Sequence, residues 1–170
     1  IEITSDKWKT YKYLKEFGIR LPESTISNNP EELANFSKKL NYPIIVKPRK
    51  GRGSEGIVYC NNISSLINIM SSNEGMIAQR VVGSVDDEYT VGVLGNEDGD
   101  ILGSIILKRY LGYNGMTLFA EVISNKYIKS YSENIVKLLK PRGYCNIQIR
   151  LEDGIPYVFE INGRVSSSTG

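Results

Sequence analysis

The stretch that decides the fold is PIIVKPRKGRGSEGIV, residues 43–58. A short apolar run carries Lys47 near its end, a glycine-rich basic loop follows, and a second apolar run begins at Ile57, which predicts strand, loop and strand. Glycines let backbone amides approach an anion closely, and successive N–H groups can form an anion-binding nest. With Lys47 as a fixed charge at the base of the loop, the pattern favours a nucleotide phosphate as the ligand, with a solvated hairpin tip as the alternative.

The loop glycines also match two other phosphate-binding patterns, and the flanking sequence argues against both. Gly51, Gly53 and Gly56 fit Gly-x-Gly-x-x-Gly, but a dinucleotide-binding turn requires a helix after the last glycine, and residues 57–60 are β-like. A protein-kinase loop fits through Val58. Kinases, however, place the phosphate-binding lysine after the loop, and this chain has no His and no Asp-Phe-Gly.

Size and charge exclude several classes of protein. The chain has 170 residues, enough for one compact domain or two small lobes. Its net charge of +2 gives no argument for a nucleic-acid or membrane-surface partner. No apolar run reaches the length of a membrane span and no signal-peptide pattern opens the chain. We therefore expect a cytoplasmic protein.

Cysteine and histidine content limit the chemistry. Cys60 and Cys145 each lie in an apolar run, which favours buried thiols over a disulfide. The absence of His argues against a zinc site and excludes a His-based catalytic triad. Any metal would be a hard cation held by oxygen ligands.

Capping residues and apolar periodicity predict four helices. They begin after Asp6, at Asn29-Pro-Glu-Glu32, after Asn62 and at residue 126. The inward residues predicted for the first and last helices are Trp8, Tyr11, Leu14 and Phe17, and Tyr127, Tyr131, Ile135, Leu138 and Leu139. Lys7 in the first turn reads, on local evidence alone, as a solvated lysine.

Runs of β-type residues predict the remaining elements. The predicted strands outside the opening stretch are residues 24–27, 76–82, 89–94, 101–107, 144–151 and 155–162, and residues 110–119 are predicted to be a loop. The last two strands form a hairpin around a turn at residues 152–154.

The final hairpin carries polar side chains at alternating positions, which places each set on one face of the sheet. These are Asn146, Gln148 and Arg150 on one strand and Glu160 and Asn162 on the other. One carboxylate and two amide oxygens, from Gln148, Glu160 and Asn162, are hard ligands suited to Mg²⁺. A solvent-exposed hairpin face is the alternative. Arg164, just beyond, is suited to gripping a phosphate or carboxylate.

Five motifs, in order along nearly the whole chain, resemble those of the ATP-grasp superfamily. Asp6-Lys7 is similar to its opening, residues 43–48 to its Val-Lys-Pro strand, and residues 51–56 to its glycine-rich lid. The adenine hinge and ribose-binding Glu are matched by Gln79-Arg-Val-Val82 and Glu88-Tyr-Thr-Val91. The metal end of carbamoyl-phosphate synthase large chains is matched by Gln148 and by Glu160-Ile-Asn162-Gly-Arg164.

The resemblance implies an α+β ATP-grasp fold, in which two α+β lobes with antiparallel sheets grip ATP between them. Residues 1–18 would be an N-terminal helix leading into the fold, residues 19–82 the small lobe with lid and hinge, and residues 83–170 the large lobe with the metal end. The chain ends, at residues 1–3 and 166–170, read as cut. We expect a missing N-terminal domain of the same chain, and a homo-oligomer is possible.

The resemblance also implies roles for individual residues toward ATP. Lys7 and Lys47 would contact its phosphates, and Gly53 and Ser54 would supply lid amides. The adenine contacts would be the main chain at Arg80 and Val82 and the side chain of Gln79, and the ribose contact would be Glu88.

The remaining implied roles concern the metal and the acceptor. Mg²⁺, or alternatively Mn²⁺, would be held by Gln148, Glu160 and Asn162. Arg164 would steady the transferred phosphoryl group, so that Arg164 and Lys47 would be the catalytic residues. Lys108 and Arg109 would line the acceptor site.

The implied reaction passes a γ-phosphoryl group to a carboxylate or bicarbonate, and an amine then attacks the acyl phosphate. Small-molecule carboxylate and amine substrates are the implied partners. Three departures from the family pattern stand out: a longer interval before Glu88, Gln79 in place of an acid, and Gly163 in place of a proline. A non-catalytic nucleotide-binding regulatory module and an interaction domain with a fortuitous loop stay open as alternatives.

Overall fold

The fold was analysed in a computed structural model, which describes residues 3–51, 55–112, 115 and 117–165. The helices in these ranges are α1 (Lys7–Glu16), α2 (Pro30–Ser37), α3 (Ile63–Ser72) and α4 (Lys126–Leu139), with a 3₁₀ turn at Val85–Asp87. The strands are β1 (Ser24–Thr25), β2 (Ile44–Pro48), β3 (Val58–Cys60), β4 (Met76–Arg80), β5 (Glu88–Gly95), β6 (Ile101–Leu111), β7 (Thr117–Ile123), β8 (Gly143–Glu152) and β9 (Ile155–Asn162).

Side-chain caps start all four of these α-helices. Asp6, Asn29, Asn62 and Asn125 each hold an extended backbone and accept hydrogen bonds from amides of the first turn. Such caps satisfy donors that have no partner within the helix, which is why the sequence predicts these starts well. The four predicted helices are confirmed.

The strands form two separate antiparallel sheets. The small sheet has the order β1-β4-β2-β3 and the large sheet β7-β6-β5-β8-β9. The core of the small lobe lies between its sheet and helices α2 and α3, and it includes Leu33, Leu66 and Cys60. The predicted two-lobe α+β fold is therefore confirmed, and both cysteines are buried free thiols.

The large sheet has an apolar face and a polar face, because side chains alternate along each strand. Tyr89, Val91 and Val93 of β5 lie in a core with Ile128 of α4 and Leu14 of α1. The opposite face, which we call the cleft face, carries Glu88, Thr90, Arg109, Asn146, Gln148, Arg150, Glu160 and Asn162.

The β8–β9 hairpin sets the register of the cleft face. Gln148 pairs with Glu160 and Asn146 with Asn162, so the predicted alignment of polar residues across the hairpin is confirmed. A shift between Gln148 and Ile149 leaves Phe159 out of the pairing. Such a bulge turns the extra side chain away from its regular alternation.

Three sequence-based expectations on the fold are wrong. Residues 110–119 are not a loop, because β6 continues to Leu111 and β7 begins at Thr117. In α4, Tyr127 is 67% exposed and Ile128 takes the buried position, since the helix lies on the sheet one residue out of the expected phase. Phe17, predicted to lie on the inward face of α1, is instead its C-terminal cap and is 53% exposed. No described helix is long and apolar enough to cross a bilayer.

The first prediction concerns α1, whose Leu14 is fully buried in the large-lobe core. We expect Leu14→Ala to lower the free energy of unfolding by about 2–5 kcal/mol, because the change leaves a cavity among packed side chains. Phe17→Ala, at the exposed C-terminal cap of the same helix, should lower it by about 1 kcal/mol or less. Urea denaturation measures both. Equal losses would mean that α1 does not belong to the core.

Candidate functional site

Lys47 is a buried cation that contacts both lobes. It lies in β2 of the small sheet and is 4% exposed. Its Nζ donates to Gln79 Oε1 at 2.9 Å within the small lobe and to the Phe159 carbonyl of β9 at 3.3 Å. It also lies 5.6 Å from the centre of the Phe159 ring. A buried ammonium requires such partners, because burial without them is very unfavourable.

Gln79 is oriented toward Lys47 by the strand next to it. Its Nε2 donates to Ser24 Oγ at 3.0 Å, and the Ser24 hydroxyl donates to the Pro22 carbonyl at 2.9 Å. This chain fixes the amide so that its oxygen meets the ammonium. An acid at this position would neutralise the lysine, whereas the amide leaves its charge in place.

Lys7 reaches the same cleft from α1. Its Nζ donates to the Gly51 carbonyl at 3.3 Å and lies 3.9 Å from Glu160 Oε1. The Lys7 side chain is only 15% exposed, so the solvated-lysine interpretation is wrong. Two lysines from different lobes thus converge near one carboxylate of β9.

The position of Lys7 is fixed by a partly buried ion pair that its neighbour Asp6 forms with Arg49. Asp6 caps α1 by accepting from the amides of Trp8 and Lys9. The same carboxylate accepts from Arg49 Nε at 3.2 Å and from Arg49 Nη2 at 2.7 Å. The backbone amide of Lys7 donates to the Arg49 carbonyl at 2.9 Å. This joins the start of α1 to the end of β2.

The three predicted metal ligands are neighbours on the cleft face. Gln148 and Glu160 are directly opposite each other, and Asn162 follows Glu160 by two residues on the same face. Asn146, opposite Asn162, is 3% exposed, and its buried Oδ1 has no hydrogen-bond partner among the described residues. An unpaired buried oxygen beside a carboxylate and two amides is a donor set that fits Mg²⁺, although the described residues include no cluster of three His, Cys, Asp or Glu.

The electrostatics of the cleft are reflected in the pKa of Lys47. This pKa is lowered from 10.5 to about 8, mainly because burial disfavours the ammonium; Glu160 acts to raise the pKa, and Lys7 acts to lower it by repulsion. Burial disfavours the charged form of any group, and a like charge nearby acts in the same direction. The Lys47 ammonium is therefore in an unfavourable environment, and an anionic ligand next to it would stabilise its charged form.

The predicted hinge is fastened to the large lobe by Arg80. Its guanidinium pairs with Glu23 at 2.6 Å and with both oxygens of Glu152 at 2.9 Å, and it lies over the Tyr157 ring. The amide of Arg80 donates to the Glu23 carbonyl, so this donor is already used. Val82 is 3% exposed, and its neighbour Gly83 donates to Glu152.

Glu88 is buried between two arginines. Its Oε1 accepts from Arg109, and its Oε2 accepts from Arg150 Nε at 2.9 Å. Arg109 thus shares the cleft face with Glu88. Lys108 pairs with Tyr89, so it points to the opposite face, and its Nζ lies 3.9 Å from Asp87. The structure does not bring Lys108 and Arg109 together.

The remaining predicted residues lie apart from this cluster or outside the described part of the chain. Arg164 is exposed, and its guanidinium donates to the carbonyl of Val165 next to it. Gly53 and Ser54 lie outside the described residues.

Sequence reasoning missed several residues that build the site. The Asp6–Arg49 pair joins residues 43 positions apart, and no local pattern indicates it. Phe159 enters the cleft through a bulge, with Lys47 and Arg150 both over its ring. Only the polar side chain of Arg150, at an alternating strand position, gave a signal in the sequence.

The lowered pKa of Lys47 predicts a pH-dependent stability. Between a folded pKa of about 8 and an unfolded value of 10.5, the unfolded chain binds the extra proton, so rising pH favours the folded state. We expect the unfolding free energy of the wild type, relative to Lys47→Met, to rise by on the order of 3 kcal/mol across this window. Urea titrations at several pH values measure it. Lys12→Met, at an exposed position, is the control, and a flat difference for Lys47 would contradict the desolvated ammonium.

Comparison with known proteins gives a family match and several structural neighbours. The family model of the ATP-grasp domain matches residues 4–168. N5-carboxyaminoimidazole synthase from Aspergillus clavatus, solved with ADP and 5-aminoimidazole ribonucleotide, is 19% identical with a TM-score of 0.81, over 99% of this chain and 46% of that one. The biotin carboxylase domain of Hydrogenobacter thermophilus 2-oxoglutarate carboxylase, solved as a dimer with MgADP, ADP and bicarbonate, is 19% identical with a TM-score of 0.78, over 98% and 41%.

A third neighbour is D-alanine–D-alanine ligase from Bacillus anthracis, which is 25% identical with a TM-score of 0.69, over 95% of this chain and 57% of that one. The chain thus spans about half the length of these proteins. Because the family match covers nearly all of the sequence and the neighbours share the two-lobed fold, the chain belongs to the ATP-grasp domain family.

Proposed function

We propose that this chain is the ATP-binding part of a Mg²⁺-dependent ligase, which activates a carboxylate or bicarbonate as an acyl phosphate for attack by an amine. The observation that carries the proposal is the convergence of Lys7 and Lys47 from different lobes near Glu160. A triphosphate offers several negative charges that such a cluster would neutralise.

The order of residues along β8 supports one direction for the proposed nucleotide. Glu152 contacts the hinge through Arg80, and moving back along β8 leads to Arg150, Gln148 and Asn146 on the cleft face. Side chains on one face of a strand follow each other at about 6.6 Å. We therefore place adenine at the hinge, ribose near Glu88 and the triphosphate over the Gln148–Glu160 pair.

Adenine recognition rests on the backbone of the hinge. Since the Arg80 amide is already used, its carbonyl is the acceptor we propose for the adenine amino group. The Val82 amide is the proposed donor, because a hinge backbone offers both types of group. Gln79 contributes mainly by holding Lys47, and any adenine contact it makes comes through its second oxygen lone pair.

The cleft residues also supply what a metal would need. Gln148, Glu160 and Asn162 would hold Mg²⁺, which supplies charge neutralisation at the phosphates when bound. Mn²⁺ accepts the same kind of oxygen ligands. Since only one of the three side chains is a carboxylate, phosphate oxygens and water would complete the ligand set.

The proposed reaction needs no side-chain nucleophile. A carboxylate or bicarbonate oxygen attacks the γ-phosphorus, the bond from that phosphorus to the β,γ-bridging oxygen breaks, and ADP leaves. The amine then attacks the carbonyl carbon, loses a proton and displaces inorganic phosphate. Lys7 and Lys47 stabilise the charge on the phosphates, and we assign Arg164 to the transferred phosphoryl group once it turns inward.

The finer proposals concern the lid, the acceptor and the substrates. Gly53 and Ser54 would supply amides over the β- and γ-phosphates, and of the two residues expected at the acceptor site only Arg109 shares the cleft face. A carbamoyl-phosphate-synthase-like activity, starting from bicarbonate, is the subtype we propose on the metal-end motif. We propose this activity for the full-length protein, because the chain spans only part of the length of its structural neighbours.

Substitution of the two central groups tests the proposal. We expect Lys47→Ala and Glu160→Ala each to reduce MgATP-dependent ADP release by about 100-fold or more, because each removes a group that acts on the phosphates or the metal. Calorimetry measures binding, and coupled ADP detection measures turnover in the full-length protein.

Lys137→Ala and Glu97→Ala, both at exposed positions, are the matched controls and should behave as the wild type. Wild-type activity in both cleft variants would refute the site. Nucleotide binding without any metal-dependent turnover by the wild type would instead support a regulatory module.

Metal removal gives an independent prediction. Chelation with EDTA should abolish ADP release, and added Mg²⁺ or Mn²⁺ should restore it. We expect Gln148→Leu to raise the Mg²⁺ concentration for half-maximal activity by about tenfold, because one oxygen ligand is lost. Asn134→Leu on the exposed side of α4 should leave it unchanged. Full activity in EDTA would contradict a metal-dependent reaction.

A further inference from the structure

The row formed by Arg109, Glu88 and Arg150 crosses three adjacent strands of the large sheet. Glu88 is directly opposite Arg150 on β8, and Arg109 follows Lys108, the β6 partner of Tyr89. Glu88 is 3% exposed, and the side chains of Arg109 and Arg150 are 9% and 14% exposed. Three ionised groups are thus largely removed from water in the middle of the cleft face.

Both arginines are themselves held in place. Arg109 Nε donates to Thr117 Oγ1 at 2.8 Å, and the Arg150 guanidinium lies 5.5 Å from the centre of the Phe159 ring. Arg150 presents both Nε and Nη2 to Glu88 Oε2, each at 2.9 Å. A planar guanidinium that is stacked and bound through two nitrogens has little freedom to turn.

This row belongs to the same electrostatic unit as the lysines. The Lys47 ammonium lies over the same Phe159 ring as the Arg150 guanidinium. The Glu88 carboxylate raises the pKa of Lys47 and the Arg150 guanidinium lowers it. The carboxylate of Glu88 is therefore close to the path of a nucleotide that runs from the hinge to Lys47.

An ionised carboxylate offers about four lone-pair positions. The two arginine hydrogen bonds use one position on each carboxylate oxygen, which leaves a free position for a further donor. A sugar hydroxyl is a neutral donor of suitable size, whereas an anion would be repelled by Glu88. The arginines thus decide where that free position points.

We propose that Arg109 and Arg150 are positioning residues that fix the Glu88 carboxylate for a ribose hydroxyl, and that they set the preference of the site for ribonucleotides. This inference rests on the proposed function, because it requires a nucleotide in the cleft. It assigns Arg109 to the nucleotide through Glu88, rather than to direct contact with the acceptor.

The test compares the binding of ATP and 2′,3′-dideoxy-ATP, with Mg²⁺, by the full-length protein and its variants. The wild type should bind ATP about tenfold or more tightly than the dideoxy nucleotide, because a hydrogen bond to a charged group is lost. Arg109→Ala and Arg150→Ala should reduce this ratio to about twofold or less. Arg150→Lys, which keeps the charge but cannot bind through two nitrogens, should give an intermediate ratio.

Arg49→Ala is the matched control, because it also removes an arginine from a buried carboxylate, at Asp6. It should weaken the binding of both nucleotides while the ratio stays as in the wild type. Thermal denaturation of each variant identifies any that fail to fold, and Arg109→Lys then replaces Arg109→Ala.

The outcomes separate the two proposals. If the wild type binds neither nucleotide, the proposed function fails. If the wild type discriminates and Glu88→Gln removes that discrimination, but both arginine variants keep it, the positioning role is overturned. A Glu88→Gln variant that still discriminates would overturn the ribose contact and the inference with it.

Discussion

The burial of one ammonium group is the constraint on which the arrangement of the site depends. Lys47 is enclosed between a small-lobe amide and a large-lobe carbonyl, so the contact between the two lobes removes its charge from water. The energy of such a group is sensitive to its surroundings, because water no longer screens it. The same burial that lowers its pKa leaves it ready to pair with a phosphate. Lys47 therefore affects both the stability of the fold and the binding of an anionic ligand.

Because side chains alternate along its strands, the large sheet has one face that packs into the core and one face that carries the polar residues of the site. Ile147 and Ile149 pack into the core, while Gln148 between them faces the cleft. Because the polar side chains stand on a rigid five-stranded sheet, their spacing is set by strand register instead of by loop conformation. The bulge at Phe159 modifies this pattern at one place, and the aromatic ring there contacts two cations, Lys47 and Arg150.

Ion pairs in and around the cleft control how much positive charge is free. Among the residues that the structure describes, we count four cationic and two anionic side chains in the cleft: Lys7, Lys47, Arg109, Arg150, Glu88 and Glu160. Pairing between them limits the penalty of burial, and the excess of positive charge remains for an anionic ligand. Two further ion pairs join the lobes at the two ends of the cleft, Arg49–Asp6 and Arg80–Glu152. Each pair is neutral, so neither adds net charge to the centre of the cleft.

The sequence by itself determined the elements and the family. Capping by Asp6, Asn29 and Asn62 marked helix starts, and the alternation in β8 and β9 placed Gln148 opposite Glu160, because both signals depend on near neighbours in the chain. Only the tertiary structure decided which charges meet. The contact of Lys47 with Phe159 spans 112 residues, and the two arginines reach Glu88 across neighbouring strands whose register is set by packing. Register and lobe contact depend on the whole chain folding together, so no local pattern carries them.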